Sequence, residues 1–315
     1  MKRHQGYRGI PAEDRGAAAA IGNFDGVHIG HRSVIDIARQ EAKAHGVPLG
    51  VVTFEPHPRR FFMPDRPSFR LMTAEARAHR LEKLGVDILF ELPFDAALAS
   101  LSPEVFVREV LVDGLGLSHL VAGADFRFGK RRSGDIEMIR TMEPETGMGV
   151  TIAPLVRDET GDFSSSAIRE ALSEGDPQAA ARMLGHWHRI EGRVAHGDKR
   201  GRTLGFPTIN LPLDDLHQPR FGVYAVTVDV LSGPHQGRYA GCASIGARPT
   251  FGQNRPNLEV HLMDFSGDLY GEEVSVALVA YQRPELRFEG AKALVAQMHK
   301  DVEEARGLLA AAATP

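Results

Sequence analysis

Residues 28–31 read His28-Ile29-Gly30-His31, two imidazoles in an H-x-G-H spacing with a glycine between them. Residues 17–21 are apolar and are followed by Gly22 and Asn23, the pattern of a buried strand that ends in a turn. From residue 31 to residue 45, Val34, Ile35, Ala38 and Ala42 recur at helical spacing, and Gly46 stands where a helix would end. The loop between strand and helix therefore falls at a strand's carboxyl end, where open α/β sheets bind ligands. Unpaired amides and the positive end of the helix dipole attract phosphate there. The imidazoles add donors, and Gly26 and Gly30 allow close backbone approach. Such a site suits a nucleoside triphosphate. No lysine of a G-x-x-x-x-G-K-[ST] loop is present, which argues against a Walker-type site. Four letters alone are equally compatible with a surface loop carrying two incidental histidines.

Four further segments carry residue types suited to phosphate chemistry. Gly123-Ala124-Asp125-Phe126-Arg127-Phe128-Gly129 follows an apolar run, so Asp125 emerges at the same sheet edge. That aspartate either accepts hydrogen bonds from a ribose or adenine or caps a turn. Ser164-Ser165-Ser166-Ala167-Ile168-Arg169 opens a helix, grouping hydroxyls, amides and an arginine one turn in, or else simply capping it. In residues 197–210, Gly197-Asp198-Lys199-Arg200-Gly201-Arg202-Thr203-Leu204-Gly205-Phe206-Pro207-Thr208-Ile209-Asn210, an extended end places Thr208 and Asn210 on one face and Ile209 on the other. A hydroxyl and a carboxamide there suit a Mg²⁺-phosphate site whose shell ATP and water must complete, while a turn followed by a strand explains the same letters. In Leu258-Glu259-Val260-His261-Leu262, alternation separates three apolar residues from Glu259 and His261. Glu259 is the candidate general base, against the plain alternative of an exposed strand glutamate.

The elements that must hold these groups change character along the chain. Apolar runs at 49–54, 86–92, 119–122 and 150–155 alternate with helical patterns, as in a parallel α/β sheet. Thr73 precedes one helix, Ser102-Pro103-Glu104 starts another, and Asp176-Pro177 opens a last one ending at Leu184-Gly185. Beyond it, β-type runs at 222–230, 239–245, 258–263 and 274–281 are separated by Gly, Pro, Asn and Asp turns, predicting an antiparallel barrel or sandwich. A final helix over 289–305, with Ala293, Leu294, Met298 and Val302 on one side, is expected to pack on it. The boundary is placed near Gly185-His186, giving domains 1–185 and 186–315.

Composition sets limits without naming a reaction. The 315 residues are 43% apolar, enough for two cores. A net charge of -4 gives no bulk attraction for nucleic acid, and Lys130-Arg131-Arg132 is too short a cluster to reverse that. One cysteine, Cys242, excludes an intrachain disulfide; with no apolar leader after Met1-Lys2-Arg3-His4 and no apolar run of membrane-spanning length, the expectation is a cytoplasmic chain that binds no membrane. A monomer is the default expectation.

The string from Gly22 to His31 closely resembles the adenylyltransferase signature of bacterial bifunctional riboflavin kinase/FAD synthetases. The serine-rich segment resembles that family's phosphate loop, and residues 197–210 resemble its riboflavin kinase signature, with Ile209 where alanine is usual. Residues 257–271 resemble its catalytic-glutamate segment. Ser244-Ile245-Gly246-Ala247-Arg248-Pro249-Thr250-Phe251 is a further match, with Ser244 in place of the expected asparagine. The resemblance implies a Rossmann-like α/β nucleotidyltransferase domain followed by an antiparallel β-barrel kinase domain with a C-terminal helix. Their substrates would be riboflavin, FMN and ATP with Mg²⁺. It implies catalytic roles for His28, His31 and Glu259, and nucleotide contacts from Asn23, Asp25, Gly30, Asp125, Ser165, Ser166, Arg169, Gly197, Arg202, Gly205 and Pro207. Thr208 and Asn210 would hold the metal. Another nucleotidyltransferase, acting on a phospholipid head group or pantetheine phosphate, would explain H-x-G-H but not the C-terminal motifs. A flavin sensor would need no Glu259.

Overall fold

Apolar runs in the first half of the chain become parallel strands. In a computed structural model, which describes residues 1–158, 161–196, 204–250 and 253–313, these are β1 (Lys2–Gln5), β2 (Ala18–Ile21), β3 (Leu49–Glu55), β4 (Ile88–Pro93) and β5 (His119–Gly123). A short antiparallel ribbon of β6 (Arg127–Phe128) and β7 (Gly134–Asp135) precedes β8 (Gly149–Ala153). The sheet has the order β1-β4-β3-β2-β5-β8, parallel throughout. Beyond it lies a second ribbon, β9 (Arg157–Asp158) with β10 (Gly161–Asp162). Three consecutive alanines, Ala18, Ala19 and Ala20, are fully buried in β2. The helix Ile29–His45 buries Ile35, Ala38 and Ala42, and Gly46 ends it in the left-handed region, as its position predicts. The helix begins two residues before the expected start.

The later β-type runs form an antiparallel sheet of β11 (Arg189–Arg193), β12 (Ile209–Pro212), β13 (Gly222–Val230), β14 (Gly237–Thr250), β15 (Gln253–Leu262) and β16 (Glu273–Arg283). Its order is β11-β16-β13-β14-β15-β12. Ala195, just past β11, donates its N–H to the Asn210 carbonyl of β12 at 2.9 Å, so the sheet nearly closes into a barrel rather than a sandwich. Alternate residues such as Tyr224, Val226, Val228, Leu258, Val260 and Leu262 fill the interior. Strands β14 and β15 run well past the expected 239–245 and 258–263, because their hairpin ladder continues through polar residues and two prolines to Thr250 and Gln253.

The final helix spans Ala291–Ala311, longer than the expected 289–305. Ala293 does not belong to its packed side. It is exposed, while Val302, Ala305, Leu308 and Leu309 make the contact with the barrel's Ala225, Met263 and Ala280. The Arg283 guanidinium holds Asp301 of this helix with two hydrogen bonds, at 2.8 and 2.6 Å. By internal contacts the chain divides into one compact unit of Met1–Arg66 and Arg77–Phe163 and a second of Pro67–Ala76 and Ser164–Pro315.

Candidate active sites

In the first unit the strand order reverses at β2, with β3 and β4 on one side and β5 and β8 on the other. The carboxyl ends of β2 and β5 therefore flank a topological switch point, where doubly wound sheets place their ligands. The loop after β2 carries Asn23, Asp25, His28, Gly30 and His31, and the turn after β5 carries Asp125. Asn23 and Asp125 are exposed and Asp25 is buried.

The loop is wound tightly. Phe24 and Val27 take positive φ of 50° and 44° although neither is glycine, and both are buried. Such conformations cost about 1–2 kcal/mol each. They persist only where packing enforces them, as at binding sites. The Thr53 hydroxyl donates to the Asn23 carbonyl at 3.2 Å, and the Gly22 N–H donates to Val52 O at 3.1 Å, pinning the loop to β3.

His28 is the helix N-cap. Its Nδ1 accepts the His31 N–H at 3.3 Å, so in the neutral ring the proton sits on Nε2. The His31 ring stacks on it with centroids 3.7 Å apart. Burial, and secondarily the neighbouring His28, push the His31 pKa well below the ordinary histidine range, so this ring is neutral at physiological pH. Its Nδ1 is buried with no hydrogen-bond partner among the described residues. At Gly30 a Cβ would lie 3.1 Å from both Cε1 and Nδ1 of His28. The glycine leaves room for the stacked pair.

In the second unit, the helix Ser165–Glu174 opens the serine-rich segment. The Ser164 hydroxyl accepts from the Ala167 N–H at 3.2 Å and is a cap, leaving Ser165 and Ser166 in the first turn. The Arg169 Nε donates to Phe69 O at 2.6 Å and its guanidinium lies 5.3 Å from the Phe69 ring centroid.

The barrel builds its site on a ladder. Thr208 lies just before β12, and Ile209 turns into the apolar interior with Leu211, so Asn210 faces the other side. Asn210 pairs with Glu259 of β15, and Glu259 pairs in turn with Ser244 of β14. Directly opposed residues share a face, so Asn210, Glu259 and Ser244 form one polar row across three strands. Sequence reasoning gave no role to two of their neighbours. Asn257 donates from Nδ2 to Asn210 Oδ1 at 2.9 Å, and His261 donates from Nδ1 to Pro207 O at 2.9 Å. The period-two pattern of Asn257, Glu259 and His261 was the available signal. The expected nucleotide contacts at Gly197 and Arg202 lie outside the described residues, and Gly205 and Pro207 are exposed.

Known proteins match both halves of the chain. Residues 10–167 match the FAD synthetase family and residues 184–309 the riboflavin kinase family. The chain is 42% identical over 314 residues to a bifunctional riboflavin kinase/FMN adenylyltransferase of Pseudomonas fluorescens, covering 99% of each. The chain belongs to the bifunctional riboflavin kinase/FMN adenylyltransferase family. The family's Escherichia coli K12 member is 39% identical over 307 residues, with 97% of each chain covered. A solved Streptococcus pneumoniae structure described as a macrolide-efflux protein superposes with a TM-score of 0.82 at 30% identity, covering 97% of this chain and 99% of its own. Among the described residues no helix is long and apolar enough to cross a membrane.

Proposed function

We propose that the two reactions of this family are divided between the H-x-G-H loop at the sheet's switch point and the polar row of the barrel. As a member of the family the chain phosphorylates riboflavin to FMN and adenylylates FMN to FAD. The observation that carries the residue assignment is the register pairing of Asn210 with Glu259, which sets a carboxylate beside the candidate metal-phosphate ligand.

In the kinase step the terminal hydroxyl oxygen of riboflavin attacks the γ-phosphorus of ATP, the bond from that phosphorus to the β,γ-bridging oxygen breaks, and Glu259 takes the hydroxyl proton. Thr208 and Asn210 offer neutral oxygen donors, and Asn257 fixes the Asn210 carboxamide with Oδ1 as the acceptor. That donor set fits a hard, oxygen-seeking cation. Mg²⁺ held there would neutralise charge on the transferring phosphates. Gly197, Arg202, Gly205 and Pro207 are assigned to the nucleotide on the same segment.

For adenylyl transfer, an FMN phosphate oxygen attacks the α-phosphorus and pyrophosphate leaves, so positioning and electrostatics carry the rate. His28, through Nε2–H, and the neutral His31 are assigned as donors to the triphosphate, helped by the amides of the helix start. Asn23, Asp25, Gly30 and Asp125 are assigned to the nucleotide, and by their chemistry Ser165, Ser166 and Arg169 are assigned to phosphate. Phe61, Phe62 and Met63 are exposed, and both phenylalanine rings lie within 6 Å of Phe94, just past the carboxyl end of β4. That aromatic patch suits the flavin ring. We place the domain boundary near Gly185-His186 and the enzyme in the cytoplasm, acting as a monomer on riboflavin, FMN and ATP.

The test is incubation of the purified protein with riboflavin, ATP and MgCl₂, with the three flavins resolved by chromatography over time. FMN followed by FAD is expected. FMN alone would remove the adenylyltransferase assignment, and flavin binding without ATP consumption would favour a sensor.

A further inference from the structure

The segment 205–208 that presents Thr208 has no regular secondary structure of its own, so something else must hold it. Two histidines do. On one side His261, two residues along β15 from Glu259, is bonded to the carbonyl of Pro207 at 2.9 Å. A carbonyl oxygen only accepts, so the proton lies on Nδ1 and the tautomer is set by this bond. On the other side Phe206, nearly buried, is wedged between two imidazole rings. His261 meets it edge-on at 5.1 Å and His299 of the C-terminal helix at 4.9 Å, with interplanar angles of 64° and 71°. The C-terminal helix is in turn fixed to the barrel by the Arg283–Asp301 pair.

We propose that His261 is a positioning residue of the kinase site, holding the Phe206-Pro207-Thr208 segment against β15 so that Thr208 stands beside Asn210 before nucleotide arrives. His299 supports the same segment from the helix through the Phe206 ring. Because β15 also carries Glu259 and Asn257, one strand fixes the base and both metal-phosphate ligands. A displacement of the Thr208 segment that leaves Glu259 in place is then felt as a change in nucleotide binding rather than in proton transfer. The inference rests on the assignment of Thr208 and Asn210 to the Mg-ATP site.

The experiment measures FMN formation against Mg-ATP concentration for wild type, His261→Ala, His261→Asn and His299→Ala. The Asn side chain presents an N–H donor near the position of Nδ1. Loss of one hydrogen bond predicts that His261→Ala raises KM for Mg-ATP about tenfold with kcat within about twofold, and that His261→Asn restores most of the loss. His299→Ala should raise KM by about twofold, as expected for a single exposed ring contact. FAD formation from supplied FMN and the melting temperature report folding in each variant. If His261→Ala fails to fold, the His261→Asn result and Mg-ADP binding by calorimetry on that variant decide the matter. An unchanged KM, a fall in kcat alone, or His261→Asn behaving no better than His261→Ala would overturn the proposal. Failure of the underlying assignment is separately visible, because Thr208→Ala would then leave FMN formation intact.

Discussion

The two units present their candidate phosphate-binding groups from different parts of the polypeptide. In the α/β unit the main chain dominates: a strained loop with two buried non-glycine residues at positive φ feeds the amides of a helix start, and the stacked histidines sit on that frame. In the barrel the side chains dominate, set side by side by strand register, with Asn210, Glu259 and Ser244 in one row. A loop site tolerates loss of one side chain but not a change in backbone path. A ladder site keeps its backbone under substitution and loses function with the single reacting group.

The comparison is broken most directly at Glu259. Glu259→Gln keeps the shape and removes the base, so FMN formation should fall by about 10³-fold, within the range for loss of a general base. FAD formation from supplied FMN should be unchanged. A variant that still makes FMN at near the wild-type rate would show that the carboxylate is structural. The loop site should respond less steeply. His28→Ala with His31→Ala should lower FAD formation by about 10²-fold, comparable to loss of preorganised donors at a developing charge. Gly30→Ala sharpens this, since its Cβ would press on His28 without removing either imidazole. It should reproduce part of the defect. If the double variant remains folded yet loses both activities, the two sites are not independent.

Where the sequence was readable, it was because local pattern and tertiary demand coincided. The apolar runs of β2 to β5 are buried on both faces, and β13 occupies the expected residues 222–230. Strand β1 reads Lys2-Arg3-His4-Gln5 and carries no apolar signal. It pairs at the sheet edge with β4, and its side chains are absorbed by Asp14, Glu91 and the face of Phe90. Edge strands accept such charge. Ala293 was misplaced because alanine is compatible with either side of a helix. Within the candidate sites, spacing and alternation marked His28, His31 and Glu259 as residues to watch, while their assigned roles came from the longer strings that resemble the family. The bonds Asn257–Asn210 and His261–Pro207 were not, since they join residues 47 and 54 positions apart and depend on the register of β12 with β15.

The same comparison extends to acid stability, where the units should behave alike for all their differences. Each contains a histidine held neutral by burial, His31 in the α/β unit and His188 in the second, where burial and the nearby His217 and His186 lower the pKa to about 3. The unfolded chain takes up a proton near pH 6.5 that the folded one refuses, so the stability is fully present above that pH and is lost as pH falls toward the folded value. At pH 5 the His188 site should have withdrawn about 2 kcal/mol relative to pH 7, at 1.36 kcal/mol per unit, and the His31 site should shift stability in the same direction. Trp187 is the single tryptophan and adjoins His188, so its fluorescence in urea titrations at the two pH values reports that unit. His188→Gln should flatten the slope there, and His31→Gln should flatten the part of the far-ultraviolet transition that Trp187 does not see. A wild-type slope in His188→Gln would mean that the ring is protonated within the fold, and the parallel between the buried neutral histidines of the two units would fall with it.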